Sequence, residues 1–162
     1  MKRILWKAKL DSDFNERYWR LVTEKFAKRD FGLKLLLAFA APGTVAGWGI
    51  FADFPALWKT LSASAALASI ASPLLAYSKK VEAAASHAGK WADLRIRYDE
   101  LWETWRGKGD ANIINREHAK LQKVAIELTR LEPSLKILED KSLAKRAQQD
   151  VLKATSGLHK EE

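Results

Sequence analysis

Few residues in this chain have types and spacings that could carry out chemistry. None of its 162 residues is a cysteine, which excludes disulfide scaffolds, thiolate-bound metals and thiol catalysis. His87 and His118 have no second ligand at helical metal-binding spacing. Gly107-Lys108-Gly109 is typical of a helix stop, because a phosphate-binding loop needs a longer glycine-spaced run ending in Lys-Ser or Lys-Thr. The sequence therefore predicts a protein that is not an enzyme and binds no metal or cofactor.

The basic excess does not indicate a nucleic-acid-binding protein. The chain has 28 Lys and Arg against 20 Asp and Glu, a net charge of +8. Residues 1–34 carry 10 bases and 5 acids, and residues 79–162 carry 17 bases and 14 acids. This spread lacks a concentrated basic face, and we expect no nucleic-acid partner.

Two long stretches of the sequence lack charge. Eighteen uncharged residues separate Lys34 from Asp53, and 19 separate Lys59 from Lys79. At about 1.5 Å per residue each helix would be roughly 27–29 Å long, close to the thickness of a bilayer core. The sequence predicts an all-α membrane protein whose transmembrane helices, 35–52 and 60–78, form an antiparallel hairpin. The alternative is a pair of buried helices in a soluble bundle.

Small residues mark one face of each predicted span. The first span contains the pair Gly43 and Gly47, spaced for close helix packing. The second carries a stripe of small and hydroxyl-bearing residues, opposite Leu67, Ile70 and Leu74; this stripe comprises Ser62, Ala65, Ser69 and Ser72. These small residues either pack the two helices of the hairpin together or line a polar pore, and the sequence does not decide between the two roles. Pro42 and Pro73 fall at similar depth, either as a paired hinge or as tolerated kinks.

The flanking regions are predicted to be cytoplasmic, because basic residues precede the first span and follow the second. Residues 1–34 form a basic segment and an amphipathic helix that begins near Phe14, capped by Asp13 and Glu16. Residues 79–162 form three helices, the first over 79–106. That helix carries a coiled-coil seam, and its members are Trp91, Leu94, Tyr98, Leu101 and Trp105. The large apolar side chains of the seam must be buried by the next helix, by a second subunit or by both. We therefore expect a homo-oligomer.

This layout, together with the run from Trp91 to Trp102, resembles the SLATT group of bacterial two-transmembrane effector domains. The resemblance implies an inner-membrane effector with both termini in the cytoplasm. Such an effector oligomerises and permeabilises the bilayer in antiviral defence when a nucleotide signal or a sensor protein triggers it. Nucleotide contacts would then come from cations near helix ends; the candidates are Arg95, Arg97, Arg106 and Lys108.

A passive scaffold is the alternative function. In that reading the hairpin only anchors a helical platform that recruits a cytosolic partner. The sequence leaves open the trigger, the number of subunits and the choice between pore and anchor.

Overall fold

The computed structural model describes residues 1–50, 55–133 and 140–158, and describes the backbone alone at 39–50, 55–58, 61, 62, 65, 71, 157 and 158. Every secondary-structure element in these ranges is an α-helix. The five helices are α1 (Lys2–Ile50), α2 (Pro55–Leu75), α3 (Tyr77–Arg106), α4 (Ala111–Arg130) and α5 (Lys141–Leu158). The all-helical part of the predicted fold class is therefore confirmed.

The chain divides into two compact units. Unit 1 comprises Met1–Thr23 and the described part of Glu82–Glu162, and unit 2 comprises Glu24–Val81. Helices α1 and α3 each contribute to both units. The predicted segment 1–34 is thus shared between the two units.

Side-chain caps determine where α4 and α5 begin. The Asp110 carboxylate accepts hydrogen bonds from the backbone N–H of Asn112 at 2.7 Å and of Ile113 at 3.4 Å. Asp140 accepts in the same way from the N–H of Ser142 at 3.1 Å. Each carboxylate satisfies N–H groups that have no partner inside the helix, and each lies at the positive end of the helix dipole.

The first helix starts earlier than the sequence predicts. It begins at Lys2, because Leu5 packs into unit 1 with 0% of its surface exposed. Asp13 therefore lies inside the helix, where its carboxylate pairs with Arg17 at 2.8 Å instead of capping a helix N-terminus. The predicted capping box of Asp13 and Glu16 is wrong.

In unit 1, helix α3 lies against both α1 and α4. Its contacts with α1 run in antiparallel order, since Trp102 meets Trp6 with ring centroids 5.1 Å apart and His87 meets Trp19 at 4.7 Å. The contact with α4 places the rings of Tyr98 and His118 6.0 Å apart. Helices α1, α3 and α4 contribute the largest fully buried side chains of this unit, which include Leu5, Val22, Leu94, Tyr98 and Ile114, and α5 adds the buried Ala147 and Val151.

In unit 2, the described contacts between α1 and the start of α3 are aromatic, cation–π and polar. The rings of Phe26 and Tyr77 are 6.1 Å apart, with the Lys80 ammonium 5.8 Å and 5.4 Å from their centroids. Asp30 accepts a 2.8 Å hydrogen bond from Ser78 and also pairs with Lys34. Hydrogen bonds from Lys34 and Ser78 lower the pKa of the Asp30 carboxyl.

The predicted transmembrane hairpin is wrong for the described part of the chain, in which no helix combines the length and the apolar character needed to cross a bilayer. Helix α2 has 21 residues, but only six are Leu or Ile, none is Phe or Val, and Lys59 lies inside it. Leu, Ile, Phe and Val supply most of the favourable free energy of insertion, and Ala and Ser fill ten positions of α2 instead. A stretch without charged residues, such as the one in α2, is therefore not always apolar enough to cross a bilayer.

The turn between α3 and α4 places a lysine, not a glycine, in the left-handed region. Lys108 has φ 57°, whereas neither flanking glycine has a positive φ. Gly109 is required for a different reason: a Cβ there would lie 2.8 Å from Thr104 Cγ2 and 3.0 Å from the Thr104 carbonyl oxygen. A β-carbon at 109 would therefore force the turn away from the end of α3.

We expect opposite changes in stability at the two positions. Lys108→Gly raises the free energy of unfolding by about 0.5–1 kcal/mol by removing left-handed strain. Gly109→Ala lowers it by about 1–3 kcal/mol because its Cβ overpacks the turn. Urea unfolding followed by circular dichroism measures both. Gly89→Ala is the control, since open space surrounds Gly89 in mid-helix and alanine there is expected to stabilise. A destabilised Lys108→Gly variant would contradict this account of the turn.

Candidate functional site

A buried cluster of two tryptophans and one histidine joins α1 to α3 in unit 1. The Trp91 indole donates a 3.0 Å hydrogen bond from Nε1 to Nε2 of His87. The Trp19 ring meets the same imidazole edge-on. His87 is only 3% exposed, and burial, together with the nearby Lys90 ammonium, lowers its pKa. The imidazole acts as an acceptor for Trp91, and only its neutral form can do so.

A network of ion pairs also joins α1 to α3, nearer to the N-terminus of α1. The Arg95 guanidinium binds the Glu16 carboxylate through Nε and the Asp99 carboxylate through Nη1 at 3.1 Å. Lys9 contacts the other oxygen of Asp99 at 2.9 Å. The Glu16 side chain is 11% exposed, and its charge is compensated by Arg95 and, at 3.7 Å, by Arg20.

A groove of 660 Å³ lies between α1 and α4 over the middle of α3. Trp91 and Tyr98 of α3 line it together with residues of the two walls. The α1 wall consists of Arg3, Ile4, Lys7, Ala8, Asp11, Ser12 and Asn15. The α4 wall consists of His118, Gln122, Ala125, Ile126 and Thr129. This volume lies within the range of sites that bind small molecules or short peptide segments.

Two titratable groups in the groove are kept neutral. Burial, reinforced by the Asp11 carboxylate, raises the pKa of Tyr98 to about 12. Burial lowers the pKa of His118, whose Nδ1 is shielded from solvent and has no hydrogen-bond partner in the described part of the chain. In the described part of the chain, neither group is hydrogen-bonded to a nucleophilic side chain.

A smaller groove of 280 Å³ lies between α3 and α4 and contains both signs of charge. Lys90, Asp93, Arg97 and Glu127 surround an apolar floor that includes Leu94 and Leu128. Within the described residues, no three side chains of His, Asp or Glu lie close enough to hold a metal ion.

The predicted coiled-coil seam is covered by its own chain. Leu94, Tyr98 and Leu101 are 1%, 2% and 7% exposed, and Trp91 is 5% exposed. Helix α1 contacts this side of α3 through Trp19, which meets His87 beside Trp91, and helix α4 contacts it through His118, which meets Tyr98. Trp105 stacks on Trp102 at 5.2 Å, with the Lys2 ammonium 5.9 Å from its ring. The role of the seam in an oligomer stays a prediction.

The four cations predicted to contact nucleotides do not come together. Arg95 is held by Glu16 and Asp99, and Arg106 pairs with Glu103 at 3.4 Å. Arg97 lines the smaller groove, and Lys108 is exposed in the turn. Their contact with a nucleotide stays a prediction.

The predicted packing and kink residues are only partly described. The side chains of Pro42, Gly43, Gly47, Ser62 and Ala65 lie outside the described part of the chain. Ser69 is exposed and Ser72 is half-buried, so the small-residue stripe of α2 is not uniformly packed. Pro73 lies within α2, three residues before Ala76, which separates α2 from α3 with φ 45°.

An exposed apolar stripe on α2 is a feature whose importance the sequence alone did not reveal. Leu67, Ile70 and Leu74 are 69%, 67% and 81% exposed, and their spacing of three and four residues places them on one helix face. Ala68, on another face of α2, is buried instead. Among the described side chains of α2, the small Ala68 is thus buried in unit 2 while three large aliphatic side chains are exposed. Contiguous exposure of this kind marks an interaction surface.

No family model, no curated protein and no solved structure matches this chain. The resemblance to the SLATT group therefore stays a prediction.

The two neutral histidines make stability depend on pH. Because burial lowers both pKa values below the ordinary 6.5, the unfolded chain binds protons first as the pH falls. We expect full stability above pH 7 and a loss below pH 6.5, with a slope approaching about 1.4 kcal/mol per pH unit for each histidine. Urea unfolding at a series of pH values between 7.5 and roughly 5 measures this slope.

Glutamine variants separate the two contributions. His87→Gln keeps an acceptor for Trp91 but cannot titrate, and it removes one part of the slope; His118→Gln removes the other part. A stability that stays constant between pH 7.5 and roughly 5 in the unmodified protein would refute the neutral assignment of both histidines.

Proposed function

We propose that this chain is a non-catalytic helical effector that acts at the surface of an anionic bilayer, with α2 as the element that contacts lipid. The exposed stripe of Leu67, Ile70 and Leu74 carries this proposal, because these three side chains leave most of their apolar surface in water. An apolar helix face that lies in the membrane interface gains the free energy of burying this surface without spanning the bilayer.

Charge favours an anionic lipid surface as the partner. Unit 2 covers residues 24–81 and contains seven bases and three acids, a net charge of +4. Lys59 lies on α2 itself, at the edge of the face that carries Ile70. Each cation near an anionic leaflet contributes about 1 kcal/mol of attraction.

The proposed effector disrupts the bilayer as an assembly of several copies. The resemblance to the SLATT group adds that the trigger is a nucleotide signal or a sensor protein in bacterial antiviral defence. Unit 1 supports a binding role over a catalytic one, since the polar groups described in its core serve packing, as Trp91 with His87 and Arg95 with Glu16 do.

A scaffold that recruits a partner protein is the second candidate function. The observation that favours it is the open groove of 660 Å³ in unit 1. In that case the protein binds lipid or a partner without causing leakage.

Removal of the apolar stripe tests the first proposal. We expect the triple variant Leu67→Ser, Ile70→Ser, Leu74→Ser to bind phosphatidylglycerol-containing vesicles at least tenfold more weakly in flotation, because about 0.8 kcal/mol is lost for each methylene no longer buried. Dye efflux from the same vesicles, with and without a panel of cyclic and linear nucleotides, measures disruption.

The matched control replaces three exposed aliphatic residues of unit 1. Ile96, Ile113 and Leu152 are 48%, 57% and 61% exposed, and we expect their serine variants to bind vesicles like the unmodified chain. Equal vesicle binding by the α2 variant and the unmodified chain would contradict the proposal. Flotation without efflux under every nucleotide condition would favour the scaffold.

A further inference from the structure

We infer that the groove between α1 and α4 is a docking site for an acidic amphipathic helix of another protein. This inference rests on the scaffold candidate and is independent of lipid binding. Its occupant follows from the shape of the groove, the apolar rims and the charge of the α1 wall.

The shape of the groove fits a helix. On α1 the lining residues extend from Arg3 to Asn15, and on α4 from His118 to Thr129. At about 1.5 Å per residue these walls are roughly 16–18 Å long, the length of three helical turns. Ala8 and Ala125 keep side chains short on the two facing walls, which lets the ridge of a third helix enter.

The rims of the groove are apolar and exposed. Ile4 on α1 and Ile126 on α4 are 57% and 47% exposed, although both line the groove. An amphipathic helix that places apolar residues at every third or fourth position would cover both. A small polar ligand would leave these two side chains in water.

The charge of the α1 wall favours an acidic occupant. Among the lining residues, Arg3 and Lys7 are basic and Asp11 is acidic, whereas the α4 wall has no Lys, Arg, Asp or Glu. Arg3 and Lys7 lie four residues apart on the α1 wall of the groove, and no ion pair to either is present among the described residues. Acidic side chains of the occupant would be attracted to these two cations.

The net charge of the other helices argues against a second copy of this chain. Each described helix has more bases than acids: α1 has 10 against 5, α3 has 6 against 5, and α5 has 4 against 1. Helix α2 has one base and no acid. None of these helices supplies the negative charge that the groove favours, and the occupant therefore belongs to a different protein.

The groove is poorly suited to nucleic acid. Single strands are held by stacking of bases on aromatic rings. The two large aromatic side chains in the groove, Trp91 and Tyr98, are 5% and 2% exposed and present almost no ring surface, which leaves the half-buried His118 imidazole as the one described lining ring open to a base.

A displayed library of helix-forming peptides tests the inference with the full chain as bait and without lipid. Each peptide has 18 residues, leucine at the spacing of one helix face, and an equal mixture of Glu and Lys elsewhere. We expect selection to enrich peptides of net negative charge at least tenfold over peptides of net positive charge. The double variant Arg3→Glu, Lys7→Glu is expected to abolish this preference, and Ile4→Ser, Ile126→Ser to weaken binding of every selected peptide at least tenfold.

Arg116→Glu is the matched control, because Arg116 is an exposed cation of α4 that does not line the groove. We expect it to leave the selection unchanged, and circular dichroism checks that each variant is folded. Failure to enrich acidic peptides, or an equal loss in the Arg116→Glu variant, would overturn the inference. Displacement of selected peptides by a labelled single-stranded RNA that binds more tightly would assign the groove to nucleic acid instead. Because no vesicles are present, none of these outcomes depends on the lipid-binding proposal.

Discussion

The aromatic face of α3 is the constraint on which unit 1 depends. A helix that presents Trp91, Leu94 and Tyr98 along one side cannot leave them in water, since burial of each such side chain contributes about 1.5–3 kcal/mol. Helices α1 and α4 cover this face from two directions, with Trp19 meeting His87 and with His118 meeting Tyr98. The positions of both covering helices, and hence of the groove between them, follow from this requirement.

Polar groups at the contact between α1 and α3 select one arrangement among the many that would bury apolar surface. Trp91 needs an acceptor, and His87 supplies it only while neutral. Glu16 needs a cation, and Arg95 supplies it from 79 residues away in sequence. A buried polar group without its partner costs more than an ordinary packing defect, so these pairs specify how the two helices align.

Local patterns in the sequence predicted α3 closely, because Gly107-Lys108-Gly109 marks its end and apolar residues recur along it at helical spacing. The start of α1 was not predictable in this way, since it depends on burial of Leu5 against distant residues. The hairpin prediction is wrong because a lack of charge does not by itself give high hydropathy, and α2 is rich in Ala and Ser. The groove escaped prediction because its walls are separated by about a hundred residues in sequence.

The central claim is that the chain covers the α3 seam by itself, with α1 and α4, and needs no second subunit to do so. Lys9 of α1 and Asp99 of α3 are in contact, with 2.9 Å between the ammonium nitrogen and a carboxylate oxygen. Since the chain has no cysteine, a short bismaleimide would cross-link only the two cysteines of the variant Lys9→Cys, Asp99→Cys. We expect a product with the mass of one chain, formed in equal yield over a hundredfold range of protein concentration. A cross-linked dimer whose yield rises with concentration would show that a second subunit provides the cover.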